Sequence, residues 1–281
     1  MIRSVVERLT RRRFAKRKFQ EKIDIWRLFV FAHHFKECDG RRVDVNIPNE
    51  RTSFARQYHV VHSTVNEQVI KMLQNVKERL TKQPNMTQSW SFTLHTQKST
   101  VQHPDAGEGL FIDGHVVPGT VVTFFPGTVY LPPDVSQITD YSDSDPHKTL
   151  SMMSRLDRCI IDANNYDITI TTPDGPLNHP FAYGHKVNHP EPGVVPNLIP
   201  FSYEATASFP DELLSLIPNK YFRPPGFLYA TPSKMRSLVF VAARHLENEE
   251  LFTDYRLRPD VSHPDWYTSV DEEENRRLWT D

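Results

Sequence analysis

Proline is the residue that most limits what this chain can fold into: 18 of its 22 prolines lie between Pro104 and Pro232. Each removes a backbone donor and fixes φ, so long helices are excluded there and central strands must stay short. Between the prolines lie apolar runs such as "GLFI", "VVTFF", "CIIDA" and "LVFVAA", bounded by Gly, Asn and Asp. Short runs punctuated by turn residues predict an irregular, mostly β region made of several small sheets. "SFPDELLSLI" is the exception, and predicts a short amphipathic turn capped by Ser208.

Upstream the texture is different. No proline precedes Pro48, and Phe19, Ile23, Trp26 and Val30 recur at i, i+4, i+7, i+11, which predicts one or two amphipathic helices. A second helix is predicted from Phe54 to Leu80, with Val61, Val65, Val69, Leu73, Val76 and Leu80 as its apolar stripe and "KQPN" as its stop. The organisation expected is a basic, helical N-terminal region (1–90), a main domain of small β-sheets (91–258) and an acidic, aromatic tail (259–281).

A chain of 281 residues is long enough to bury a large core. None of its apolar runs approaches the ~20 residues needed to span a bilayer. Cys38 and Cys159 are too few for a disulfide framework or a cysteine-rich zinc site, so a reducing, intracellular compartment is expected. The formal charge of −2 hides an asymmetry. Residues 1–20 carry eight Lys or Arg and the single acid Glu7, so that segment is +7 and the remainder −9. With Ile2, Val5, Val6 and Leu9 at helical spacing, the segment reads as a mitochondrial transit peptide, a nuclear-import or nucleic-acid-binding segment, or a solvated helix.

Three clusters offer chemistry. In "AGEGLFIDGHVVPGTVVTFFPGTVY", Gly107 and Gly109 precede a strand-like run; glycine there serves a tight turn or lets a ligand approach the backbone. No third glycine and helix follow, so this is not a dinucleotide fingerprint. In "AYGHKVNHPEPGVVPNL", Asn188 and His189 sit beside prolines. These residues serve loop hydrogen bonding or, with His179 and His185, a metal-dependent enzyme, although no carboxylate or thiolate falls at a familiar ligand spacing. In "RHLENEELFTDYRL", Tyr255 closes a strand, as a packed amphipathic residue or as part of a site.

Taken in order, "AGEGLF", "FFPGTVY", "VNH" with a following "PN", and "EELFTDY" resemble the four motifs of the SET domain, the fold of S-adenosylmethionine-dependent protein-lysine methyltransferases. The resemblance covers roughly residues 100–258. It implies a SET fold of several small β-sheets closed by a C-terminal pseudoknot, an exception to ordinary chain topology. It further implies that the turn Ala106, Gly107 and Glu108 presents backbone to the methionine part of the cofactor, with Gly109 letting the chain turn into a strand. Asn188 and His189 would bind S-adenosylmethionine chiefly through main-chain groups, and Tyr255 would be the active-site tyrosine at the inner end of a lysine channel. The implied partner is a lysine-containing segment of a protein substrate, and nucleic acid is not expected for this domain.

The chemistry so implied needs alignment more than acid or base. Methyl transfer moves charge from sulfonium to amine, and preorganising two reactants lowers a barrier by about 7 to 11 kcal/mol. A tyrosine hydroxyl beside main-chain carbonyls holds the amine, and an apolar channel disfavours the protonated lysine. Three departures from the family pattern bear on activity. Phe125 replaces the usual first tyrosine of the channel. The stretch from Asn188 to Asn197 is longer than common, with Pro190 and Glu191 in place of Ser and Cys. Asn248 stands where Gly is frequent. These keep open an alternative: a SET-fold binding module without turnover. No cysteine-rich closure is available, so Trp266, Tyr267 or Trp279 of the tail is expected to cover the cofactor's adenine.

Overall fold

The computed structural model describes residues 19–32, 52–81, 91–139, 151–172, 174–223 and 234–279. The basic segment 1–18 and Cys38 lie outside the described residues. The fold is mostly β, with helices at both ends of the chain.

Helix α1 occupies residues 19–32, and α2 runs Phe54–Thr81. Free of Gly and Pro, α2 buries Val61, Val65, Val69, Met72, Leu73 and Val76 on one face. Two of its polar residues tie it to the sheets. Gln68 donates from Nε2 to the Gly119 carbonyl (3.0 Å) and accepts the Val121 amide (2.8 Å), while Asn66 Oδ1 accepts the Tyr203 hydroxyl (2.7 Å). On α1 the structure corrects the expected apolar stripe. Phe19 and Trp26 are exposed, and the buried face is Gln20, Asp24, Ile25, Leu28, Phe29 and Ala32. Two buried polar residues in its first turns shift the inward face away from the one that apolar periodicity picks out.

The proline-rich half forms short strands, as its texture predicts. β1 (Phe92–Lys98), β2 (Glu108–Val116) and β12 (Leu246–Glu250) make an antiparallel sheet in the order β1-β2-β12. β3 (Val121–Phe124), β11 (Val239–Ala242) and β9 (Leu198–Phe201) make a second, in the order β3-β11-β9, and every residue of β3 and β11 is buried. A third sheet has the order β10-β4-β6-β5, from Asn219–Tyr221, Gly127–Tyr130, Ile160–Asp162 and Met152–Ser154. β7 (Thr169–Thr172) and β8 (Gly175–Asn178) form a hairpin. Side chains from both long helices, Ile25, Leu28, Val65 and Met72 among them, share one apolar cluster with Ile112, Val121, Phe124 and Phe240 of the sheets.

Two short helices complete the described chain. α3 (Asp211–Leu214) starts after Pro210 with no side-chain cap. Ser208 instead pairs its hydroxyl with Thr206 (2.9 Å), because Pro210 holds the chain extended and separates Ser208 from the first helical amides. The acidic end of the tail folds as α4 (Glu272–Trp279). Among the described residues no helix is long and apolar enough to cross a membrane.

Candidate active site

β12 delivers the chain into an unusual passage. Phe252 pairs with Asn188 as a parallel bridge, and the Thr253 amide donates to the Asn188 carbonyl (3.0 Å). On its other side the Phe252 carbonyl accepts the amides of Asn197 (3.1 Å) and Leu198 (3.0 Å). The C-terminal segment is therefore clasped between the two arms of the loop 188–198, the knotted arrangement that the SET resemblance implies. Asn197 pins it: the buried amide accepts the Phe252 N–H (2.7 Å) and donates to the Glu250 carbonyl (2.8 Å) and to Glu249 Oε2 (3.1 Å).

The clasp brings distant motifs together. Asn188 Nδ2 donates to the carbonyls of Ala106 (3.2 Å) and Glu108 (3.3 Å), which ties the first motif to the third. Beneath them lies Glu250, buried, with Oε1 accepting the Ser99 hydroxyl (2.6 Å) and Oε2 accepting the Thr100 amide (2.7 Å). A Cβ at Gly109 would stand 1.9 Å from Glu250 Oε1, so Gly109 makes room for the carboxylate that holds this corner. Replacing it is expected to displace Glu250. Gly109→Ala should destabilise the protein by about 1 to 3 kcal/mol, the usual cost of overpacking, as read by urea denaturation.

Gly107, at φ 57°, is exposed, and a Cβ there would meet nothing nearer than the Asp105 carbonyl at 4.0 Å. The turn is thus an open shelf of exposed backbone. Glu108 pairs with Lys186 (2.9 Å), and the Ala106 and Glu108 carbonyls already serve Asn188, so part of the shelf is committed to the protein itself.

Tyr255 projects from the far side of the clasp into a cavity of about 240 Å³. Its hydroxyl donates to the Val187 carbonyl (3.0 Å), and its amide donates to His189 Nδ1 (3.3 Å). With its proton committed to Val187, the phenol oxygen keeps its lone pairs as acceptors, and burial pushes its pKa up, so it stays neutral. Phe125 lines the same cavity. Asn219 anchors it by donating to the Phe125 carbonyl (3.0 Å), and the Phe125 amide donates to the Leu238 carbonyl (2.9 Å). Gly184 lets its segment pack directly against this backbone, since a Cβ there would stand 2.6 Å from the Phe124 carbonyl oxygen and 2.8 Å from Phe125 Cα. Val187, Leu238, Phe240 and Ile160 add apolar surface.

The three histidines do not form one group. His179 is buried, with Nε2 on the Leu216 carbonyl (3.0 Å) and Nδ1 accepting the Phe181 amide (3.2 Å). His189 accepts at Nδ1 and therefore carries its proton on Nε2, which meets the Thr268 carbonyl at 2.8 Å. His185 lines the Tyr255 cavity instead. Among the described residues no group of three His, Cys, Asp or Glu is placed to hold a metal ion.

Burial lowers His179 from 6.5 to about 4. A depressed histidine means that the unfolded chain binds more protons, so stability present above the unfolded pKa is lost as pH falls from about 6.5 towards 4. His179→Gln should remove up to about 1.4 kcal/mol per pH unit from that slope, measured by urea denaturation at a series of pH values.

The tail reaches this site. Tyr267 packs at a tilt against His189 with centroids 4.7 Å apart, and Trp266 meets the Tyr255 ring edge-on at 6.1 Å. Trp279 lines the cavity and donates from Nε1 to the Arg256 carbonyl (2.8 Å). Motif reading did not find Gln20 and Asp24 of α1, or Met152–Leu156 around β5, as further walls of the cavity. Only the two adjacent polar positions on the inward face of α1 hinted at any of these.

No family model matches the chain. Two curated relatives do: SET domain-containing protein 9 of Homo sapiens, 28% identical over 214 residues and covering 68% of each chain, and the protein of the same name from Pongo abelii, 28% identical and covering 68% of this chain and 74% of its own. The likeness to the SET domain read from the four motifs is thus found again in proteins that carry that domain in their name. A crystal structure of CpSET8 from Cryptosporidium overlaps 87% of this chain and 98% of its own at 13% identity, with a TM-score of 0.34, too low to add to the topology described above.

Proposed function

We propose that this chain is a protein-lysine N-methyltransferase that uses S-adenosylmethionine. The observation that carries the reading is that one loop holds both ends of the arrangement, Asn188 tying down the turn at Ala106 and the Val187 carbonyl accepting the Tyr255 hydroxyl, while Tyr255 and Phe125 line one cavity. In this reading the shelf at Ala106, Gly107 and Glu108, with Asn188 and His189, holds the cofactor, which when bound supplies an activated methyl group.

The chain's own residues do the rest. Phe125, Val187, Leu238 and Phe240 give part of the cavity apolar walls, where a charged ammonium is disfavoured and a neutral amine is favoured. The phenol oxygen of Tyr255 accepts an N–H of that amine and fixes its direction. β5 is the outer strand of its sheet and borders the cavity, so an extended substrate segment laid along it would gain backbone hydrogen bonds while its lysine points inward.

A second reading, a SET-fold binding module without turnover, is favoured by one observation: Tyr255 is the sole tyrosine among the described lining residues, because Phe125 offers no hydroxyl. Calorimetric titration with S-adenosylmethionine, followed by transfer of a radiolabelled methyl group to peptide arrays and to the protein itself, separates the two. Binding with transfer is the expected result; binding without transfer favours the module, and no binding removes the methyltransferase reading.

A further inference from the structure

The residue after Tyr255 is fixed by charge rather than by apolar packing. Arg256 sits at φ 48°, in the left-handed region that L side chains rarely adopt. Its guanidinium forks onto Asp24 of α1, Nη1 to Oδ2 at 2.8 Å and Nη2 to Oδ1 at 3.0 Å, and Nη2 also reaches Glu274 Oε1 of α4 at 3.0 Å. Gln20 bridges the two acids, donating to Asp24 Oδ1 (3.0 Å) and Glu274 Oε1 (2.8 Å). Arg27 pairs with Glu274 Oε2 at 2.8 Å, and Asp254 lies 3.9 Å from Arg256. The main chain beyond is tied down as well: the Leu257 amide donates to the Tyr267 hydroxyl (3.0 Å), and Asn275 donates to the Leu257 carbonyl (2.8 Å). Gln20, Asp24, Arg256 and Trp279 all border the Tyr255 cavity.

We propose that Asp24, Arg256 and Glu274 form a clamp that positions Tyr255, and that α1 and α4 are thereby working parts of the active site. A largely buried guanidinium with a two-point carboxylate partner has one good geometry, and removing either partner leaves an uncompensated charge in a largely desolvated place. Here the arrangement fixes an unusual backbone turn one residue from the Tyr255 hydroxyl. Asp24 and Glu274 come from opposite ends of the chain, so the clamp draws both ends over the cavity without a metal or a disulfide. Its catalytic half rests on the methyl-transfer reading, whereas its positional half does not.

The test uses the full chain labelled with 3-fluorotyrosine, with the Tyr255 fluorine line assigned by its loss in Tyr255→Phe. Asp24→Asn and Glu274→Gln should each shift or split that line. Each should lower kcat for methyl transfer about tenfold to a hundredfold, the scale of a small misplacement of reacting groups, while KM for S-adenosylmethionine stays within about twofold. Arg256→Lys, which keeps the charge and loses the fork, should fall between. Glu272→Gln removes an exposed acid from the same helix α4 and should change neither readout. A folded Asp24→Asn protein with an unmoved Tyr255 line and unchanged kcat overturns the clamp. Should that variant fail to fold, Glu274→Gln decides on the same two readouts. Wild-type protein that transfers no methyl group sinks the methyl-transfer reading instead, and the fluorine line still decides whether the clamp holds Tyr255.

Discussion

Tyr255→Phe is expected to lower methyl transfer by about a hundredfold or more, while leaving the fold and the affinity for S-adenosylmethionine nearly unchanged. The substitution deletes one oxygen. The ring keeps its packing against His189 and Trp266, and the amide keeps its bond to His189. What disappears is the acceptor in the cavity and the donor to the Val187 carbonyl. Loss of a single preorganised polar contact that acts on the reacting atoms typically costs 10² to 10³ in kcat, whereas loss of one intramolecular hydrogen bond costs about 1 kcal/mol of stability. The two effects separate cleanly: initial rates at saturating cofactor report the first, and urea denaturation with calorimetric titration reports the second. Unchanged rates would remove Tyr255 from the mechanism. Phe125 makes the expected loss larger, because no second tyrosine among the described lining residues stands ready to hold the amine.

Much of this arrangement was legible in the chain before its fold. Proline density excluded long helices between 104 and 232, and the runs around "VVTFF" and "LVFVAA" became β3 and β11, buried on both faces. Residues of α2 kept the stripe that their spacing predicts, because a long apolar face packed against a sheet obeys periodicity. On α1 the same rule picked the wrong face. Its inward positions include Gln20 and Asp24, whose partners Arg256 and Glu274 lie more than two hundred residues away, and no local pattern reports a charge pair of that separation. Glu250 illustrates the same limit. In sequence it is one acid of a pair at a strand end, and only the fold shows that it sits beneath Gly109 and receives Ser99 and Thr100. The motifs marked segments that the fold ties together; the residues that hold those segments in place are spread along the chain and carry no signature.

Asn197 is where that distinction can be measured. Asn197→Ala should destabilise the protein by about 3 kcal/mol, because Asn197 is 1% exposed and its loss strands the part-buried Phe252 amide and the buried Glu250 carbonyl, each orphaned group costing about 1 to 3 kcal/mol. The damage should not stay local. Phe252 and Thr253 are what the loop 188–198 clasps, and the same segment runs on to Tyr255, so loosening it frees both the Ala106–Glu108 turn held by Asn188, which the proposed function assigns to the cofactor, and the hydroxyl held by Val187. Affinity for S-adenosylmethionine and transfer rate should therefore fall together, unlike the rate-only loss expected of Tyr255→Phe. Asn197→Asp sharpens the case. Its carboxylate can still accept the Phe252 amide, but it faces the Glu250 carbonyl and the Glu249 carboxylate with no N–H to offer, so acceptor is set against acceptor in a buried site. It should be at least as destabilising as alanine despite its matched shape. An aspartate variant as stable as the wild type in urea would mean that the donor half of Asn197 does not hold the knot, and that the clasp depends on main-chain bonds alone.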